Sequence, residues 1–381
     1  LTLPAEALVT TLAAPRRGMA ALAAAGDTGA LASTLLDTRP YTAPDWAEAL
    51  QAPNERVELG RLPTPIHKWP VPLLEDLGVQ WWIKRDDLTG FELGGNKVRK
   101  LEFLLAEAKA GGYDCVVTIG GIQSNHCRAT AAAARMLGLP SYLILRTSEP
   151  DKDPGLVGNL LFDRMLGAEI RTVTPEEYGR VGSARLGEML VEELRGAGLK
   201  PYLIPVGGSN SLGTWGYLEG VRELQTQMPA VQGLTDGRFD HVTFACGSGG
   251  TAAGIGLGMH LSGLGQRGTK VHAVGVCDSP SYFYKFVDDE ILPGIGHSLP
   301  CSESWLRVIQ GRGRGYAVST PEELDIIKRV CETTGVLLDP VYSGKALYKF
   351  CETAKGSPEE FAGKSILFWH TGGGFGMYDK A

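Results

Sequence analysis

The chain has 381 residues, 43% apolar and 21% charged, enough to bury a large core in two domains or one large one. Its net charge of -6 argues against a nucleic-acid surface, and no apolar run reaches the ~18 residues of a membrane span. The 7 cysteines are odd in number and scattered, without the paired spacing of metal ligands. Cys115, Cys246 and Cys277 fall in apolar strand-like runs, so buried, reduced thiols in a reducing compartment are expected.

Residues 1–37 are rich in Ala, Leu and Thr, carry Arg16 and Arg17, and contain few acids. The segment reads either as an organelle transit-peptide remnant (mitochondrion or chloroplast) or as an N-terminal helix of a cytoplasmic protein. From Trp46 onward the pattern is α/β. Trp81–Lys84 is a strand, and a helix follows over Val98–Ala110. Val116–Ile119 is a strand ending in Gly120-Gly121, with an alanine-rich helix from Asn125 to Leu137. Strands at Tyr142–Leu145 and Ile170–Val173 flank a helix over Leu156–Leu166. A helix at Ser183–Arg195 precedes a strand at Tyr202–Val206, and a further helix runs from Trp215 to Gln227. His241–Ala245 leads into Gly247–Thr251 and another helix. Val271–Val276 is a strand, Glu322–Thr333 a helix, and Ile366–Trp369 a last strand before Gly372-Gly373-Gly374. Strand, glycine loop and helix in repetition predict parallel sheets with crossover helices, and ligands at the carboxyl ends of the strands.

Within this frame Gly94-Gly95-Asn96-Lys97-Val98-Arg99-Lys100 is unusual. Asn96 is the expected N-cap, which places Lys97 first in a helix whose free amides already carry partial positive charge. Crowding by Arg99 and Lys100 in a partly dry site would favour the neutral amine, which attacks carbonyls. The plain alternative is a solvated basic helix start. Gly247-Ser248-Gly249-Gly250-Thr251, between strand and helix, is an anion cradle suited to phosphate, with free amides and the hydroxyls of Ser248 and Thr251. The same residues fit a dinucleotide fingerprint with Ala252 and Asp278, so a nicotinamide-dependent oxidoreductase is a rival. The Gly120–His126 loop has the same setting. Its amides, with Ser124 and Asn125, suit a carboxylate, and an N-cap is the simpler reading. His126 and Arg128 read as supporting or solvated residues. Tyr342, Tyr282 and Tyr284 are ambiguous in isolation.

Together these stretches resemble the pyridoxal-phosphate enzymes of the tryptophan-synthase-β type (fold type II). More narrowly, they resemble the branch holding 1-aminocyclopropane-1-carboxylate (ACC) deaminase and D-cysteine desulfhydrase. The matching residues are Leu62–Pro65, Lys84–Asp87, Gly94–Leu101, Gly120–Arg128, Pro205–Asn210, the Gly247 loop and Leu338–Tyr342, and the resemblance spans about residues 40 to 381. It implies pyridoxal 5'-phosphate as cofactor and Lys97 as its Schiff-base lysine. Ser124 and Asn125 fall where the family holds the substrate carboxylate and the cofactor ring oxygen, with His126 and Tyr342 beside the substrate. Gly247, Ser248, Gly249, Gly250 and Thr251 match the phosphate cup. Lys97, Ser124, Tyr342 and Tyr282 are the candidate catalytic residues. The deaminase has a glutamate where Ser343 stands and a leucine where Thr371 stands. Both departures look like D-cysteine desulfhydrase, particularly the plant type, with Ser343 or Thr371 meeting the pyridine nitrogen.

The resemblance therefore implies α,β-elimination on D-cysteine, with ring opening of ACC as main or side activity the nearest alternative. It also implies a homodimer, a small amino-acid substrate, and neither metal nor nucleic-acid nor membrane partner. The expected architecture has two α/β domains, with mainly parallel twisted sheets flanked by helices. Residues 38–97 plus 207–381 would form a large cofactor-binding domain, and 98–206 a small one.

Overall fold

The computed structural model describes residues 36–379, so the composition-biased segment 1–37, apart from its last two residues, lies outside the described residues. In chain order the elements are β1 (Thr38–Pro40), β2 (Glu55–Val57), β3 (Ile66–Lys68), β4 (Gln80–Arg85), α1 (Lys97–Ala110), β5 (Cys115–Gly121), α2 (Asn125–Met136) and β6 (Ser141–Arg146). Next are α3 (Gly158–Met165), β7 (Glu169–Val173), α4 (Pro175–Val181), α5 (Ser183–Gly196), β8 (Pro201–Leu203), α6 (Ser211–Gln227), β9 (His241–Cys246) and α7 (Gly250–Leu261). The rest are β10 (Lys270–Gly275), α8 (Pro280–Phe286), β11 (Arg307–Gln310), α9 (Pro321–Thr334), α10 (Ser343–Gly356), α11 (Pro358–Phe361) and β12 (Ser365–His370).

Two main sheets organise the chain. A 6-stranded sheet runs β11-β10-β9-β12-β4-β3, and a 4-stranded sheet runs β7-β6-β5-β8. All pairs are parallel except β3 with β4, which closes one edge of the larger sheet. The β-period buries both faces. In β4, Trp81 and Ile83 face one core, with Phe368, Leu347 and Phe350, whereas Trp82 faces another, with Phe244, Leu367 and Trp369. The smaller sheet repeats the scheme. Val116 packs with Leu101, Leu105 and Ala132 from α1 and α2, and Val117 and Ile119 pack with Leu186 and Leu190 of α5. The mixed α/β class with parallel sheets flanked by helices is as expected from sequence.

Two elements differ from that expectation near the cleft. The strand expected over 202–206 stops at Leu203, because Pro205 has no N–H for the ladder and Gly207 turns the chain at φ 67. Helix α6 starts at Ser211 rather than Trp215, since the Asn210 side chain accepts from Gly213 N at 2.8 Å and caps it.

Candidate active site

The carboxyl ends of β4, β5, β9 and β12 converge on one cleft, and α1 begins at its floor. The loop before α1 is fastened from several sides. Gly95 N donates to Asp86 O at 3.0 Å and to Thr89 Oγ1 at 2.9 Å, while Asn96 N donates to Thr371 O at 3.0 Å. Gly95 has φ +111, and a Cβ there would lie 2.9 Å from Thr371 O, so only glycine lets the two loops meet. Arg128, expected to be a supporting or solvated residue, is buried and donates to Glu92 O and to Gly94 O, the latter at 2.9 Å. Asn96 stands at the helix start but does not cap it; its amide donates to Thr251 Oγ1 at 3.0 Å.

Lys97 is half-buried on the cleft floor, and burial pushes its ammonium pKa down to about 8. The expected crowding by Arg99 is not its cause. Arg99 turns away from the cleft and pairs with Asp86 (2.8 Å) and Glu223 (2.9 Å). Glu223 also pairs with Lys84, and Asp86 accepts from Thr64, Tyr217 and Trp369 as well. Lys84 and Asp86 thus join Arg99 of α1 and Glu223 in one buried ionic network, whereas Arg85 and Asp87 pair with each other nearer the surface. Lys100 does stay near Lys97. It donates to Gly207 O (3.0 Å) and Ser209 Oγ (3.1 Å), and burial, then the Lys97 charge, holds its pKa well below the usual lysine range.

Two glycine loops build the cradle. Ser209 Oγ lies 2.8 Å from Ser248 Oγ and accepts from Gly250 N at 3.1 Å, tying the loop after β8 to the N-terminus of α7. Gly249 has φ +88, and a Cβ there would come 2.8 Å from the Phe286 ring. A Cβ on Gly207 would collide with Ser248 Oγ and lie 3.4 Å from Lys97 Nζ, so the cradle and the lysine adjoin. Ser209 was passed over as a site residue in the sequence, although its strand–glycine–helix setting is the same signal as that of the Gly247 loop.

On the other side, Ser124 caps α2, its Oγ accepting from Cys127 N at 3.1 Å, and Asn125 Oδ1 accepts from Asn159 at 3.1 Å. His126, expected as a supporting residue and beside the substrate, is turned inward at 4% exposure with Nε2 3.0 Å from Thr118 Oγ1, and burial holds its pKa well below the usual histidine range. Tyr342 lies against Gly247, where a Cβ would come 2.9 Å from its ring, and its hydroxyl is 2.7 Å from that of Tyr316. Tyr316 carried no signal in the sequence. Tyr282 is 46% exposed and stacks on Phe286. The Ser343 hydroxyl is already engaged, donating to Asp339 Oδ1 at 2.6 Å and accepting from Asp339 N at 2.8 Å. Among the described residues, the His241, His272 and Glu360 group has donor atoms close enough to hold a metal ion, but it lies at the strand starts, away from the cleft. There the Glu360 carboxylate is held by Lys270 and Arg307.

A family model described as pyridoxal-phosphate dependent enzyme matches residues 57–372. The chain belongs to that family. It is 53% identical over 348 residues to a bifunctional D-cysteine desulfhydrase/ACC deaminase, mitochondrial, of Arabidopsis thaliana, covering 91% of this chain and 85% of the relative. A D-cysteine desulfhydrase of Salmonella choleraesuis is 34% identical over 84% of this chain and 94% of its own length. Among solved structures, an ACC deaminase homologue superposes with a TM-score of 0.73 at 35% identity, covering 85% of this chain and 93% of the other.

The residues present fit pyridoxal phosphate. The Gly207–Ser209 and Gly247–Thr251 loops form a cradle in which Cβ atoms would collide, at a helix N-terminus suited to the phosphate. Beside it stands an amine that burial brings toward neutrality, as carbonyl chemistry requires. The nicotinamide reading of the Gly247 loop gives way to the family match, and Asp278, the acid of that fingerprint, accepts from the following Ser279 N at 3.0 Å.

Proposed function

We propose that this chain eliminates hydrosulfide from D-cysteine, giving pyruvate, ammonia and hydrogen sulfide. The cofactor, when bound, withdraws electrons from the substrate α-carbon. The chain's own residues do the rest. Lys97 would hold the cofactor until the substrate amine displaces it, and its freed amine, with a pKa about 8, then takes the α-proton from its side. The Ser124–Asn125 loop binds the substrate carboxylate with helix amides and the Ser124 hydroxyl. Tyr342, with Tyr316 hydrogen-bonded to it, faces the departing sulfur, and burial keeps both phenols protonated so that they can donate. Tyr282, at the exposed edge, is the alternative donor.

One observation carries the choice of sulfide elimination over ring opening. Among the described residues, the Asp339 carboxylate beside Tyr342 and Ser343 is already engaged: its oxygens accept from Val341 N, Tyr342 N, Ser343 N and Ser343 Oγ, all at 2.6–2.9 Å. Ser343 is held in that knot, which leaves the Thr371 hydroxyl, at the cleft end of β12, as the partner of the ring nitrogen. A neutral hydroxyl makes the ring a mild electron sink, sufficient where a thiolate leaves readily. Ring opening of ACC is the second reading, as a side activity, supported by the bifunctional Arabidopsis relative. That relative's mitochondrial name also supports an organelle location, and family resemblance supports a homodimer.

Side-by-side rates on D-cysteine and ACC test the proposal. Sulfide release should far exceed 2-oxobutanoate formation, and Ser343→Glu with Thr371→Leu should shift the ratio toward ring opening. Faster ring opening by the parent enzyme would contradict it.

A further inference from the structure

Arg146 ends β6 at the cleft mouth, and the roles assigned above do not use it. Its guanidinium lies 4.9 Å from the Tyr178 ring of α4 and 5.8 Å from the Tyr316 ring, so it bridges a segment of the smaller sheet and a loop of the larger one. Among the described residues it forms no ion pair. Lys84, Arg85 and Arg99 all have carboxylate partners. A planar cation stacked on aromatic rings keeps its five N–H donors at its edge, available to an anion.

Its neighbours are the two regions proposed above for the ends of a bound amino acid. The Arg146 carbonyl accepts from Ile122 N at 3.1 Å, in the loop assigned to the substrate carboxylate. Through Tyr316 and its hydroxyl contact with Tyr342, the guanidinium reaches the wall assigned to the departing sulfur. Its charge also acts on Cys277, whose thiol bonds Gly247 O at 2.8 Å at the start of the phosphate cradle.

We propose that Arg146 is a specificity-determining residue, a cation that favours substrates whose β-carbon bears or releases an anion. The assignment rests on the elimination reading. In that step the α-proton goes to the base, the C–H electron pair becomes the Cα–Cβ double bond, and the Cβ–S pair leaves with sulfur as hydrosulfide. No oxidant or reductant is needed. The developing negative charge on sulfur, at the Tyr342 wall, is stabilised through Tyr316 by the guanidinium behind it. Opening a cyclopropane ring breaks a carbon–carbon bond and releases no anion, so the cation gives it no advantage.

The test uses the holoenzyme with Arg146→Gln and, where that variant folds poorly, Arg146→Lys. Calorimetric binding is measured for D-aspartate, which carries a β-carboxylate that cannot leave, and for D-alanine, which carries none. The parent should bind D-aspartate about 10-fold more tightly, and Arg146→Gln should erase the difference while Arg146→Lys keeps part of it. Sulfide release from D-cysteine should fall ~10–100-fold in Arg146→Gln, with ring opening of ACC within about 2-fold of the parent. Equal binding of the two ligands by the parent, or an equal loss for both in the variants, would overturn the assignment and leave Arg146 as a mere strut across the cleft. A parent that prefers D-aspartate, loses the preference in Arg146→Gln, and releases no sulfide would support Arg146 while refuting the elimination reading.

Discussion

Lys97 and Arg99 sit two residues apart at the start of α1, and their surroundings assign them opposite work. Arg99 faces the larger sheet, where Asp86 and Glu223 bracket it and Thr64, Lys84, Tyr217 and Trp369 complete the network. Lys97 faces the cleft, with thiols rather than carboxylates nearby. Burial with partners fixes a charge, and the Arg99 pKa stands well above its usual value while the Asp86 carboxyl is held well below its own. Burial without partners makes a charge removable, as at Lys97. One helix start thus holds a cation fixed by its partners and an amine that burial makes easier to deprotonate.

Removing each in turn should give opposite patterns. Lys97→Ala should lose the visible cofactor chromophore and on the order of 10³-fold in turnover, with the urea midpoint nearly unchanged. Asp86→Ala should cost about 3–5 kcal/mol in urea unfolding, because four buried side chains, Thr64, Arg99, Tyr217 and Trp369, lose an acceptor, while the molecules still folded keep the chromophore. Loss of stability in the first variant with none in the second would dissolve the distinction. The smallest effect is in pH. In cofactor-free protein the Lys97 pKa is about 8 when folded and near the ordinary 10.5 when unfolded, so the unfolded chain binds the extra proton between those values. Stability from this group should therefore rise with pH across that window, and Lys97→Met should remove the slope. Arg99 should add none, being charged in both states.

Much of the site was legible because loops that bind phosphate or carboxylate announce themselves by glycine between strand and helix. The Gly247 loop, the Gly120 loop and the strand bearing Trp81 and Trp82 were all visible in this way, and so was the class of fold. What stayed hidden depends on side-chain contacts that no local pattern marks, most of them distant in sequence. Nothing local marks Tyr316 as the partner of Tyr342, 26 positions away. The direction of Arg99 is set by Glu223, 124 positions on. His126 looked available in the loop, yet Thr118 on the neighbouring strand draws it inward. Asn96 carries a good capping side chain, but Thr251, 155 positions on, takes its amide. Ser343 was one of two candidates for the ring nitrogen, and only the fold reveals that Asp339 already holds its hydroxyl.

The most direct measurement is chemical. Reducing the purified holoenzyme with borohydride and digesting it should place the reduced cofactor mass on the peptide containing Lys97, the half-buried amine beside the glycine cradle. Mass on Lys84, held by Glu223, or on Lys100, held by Gly207 O and Ser209, would contradict the account.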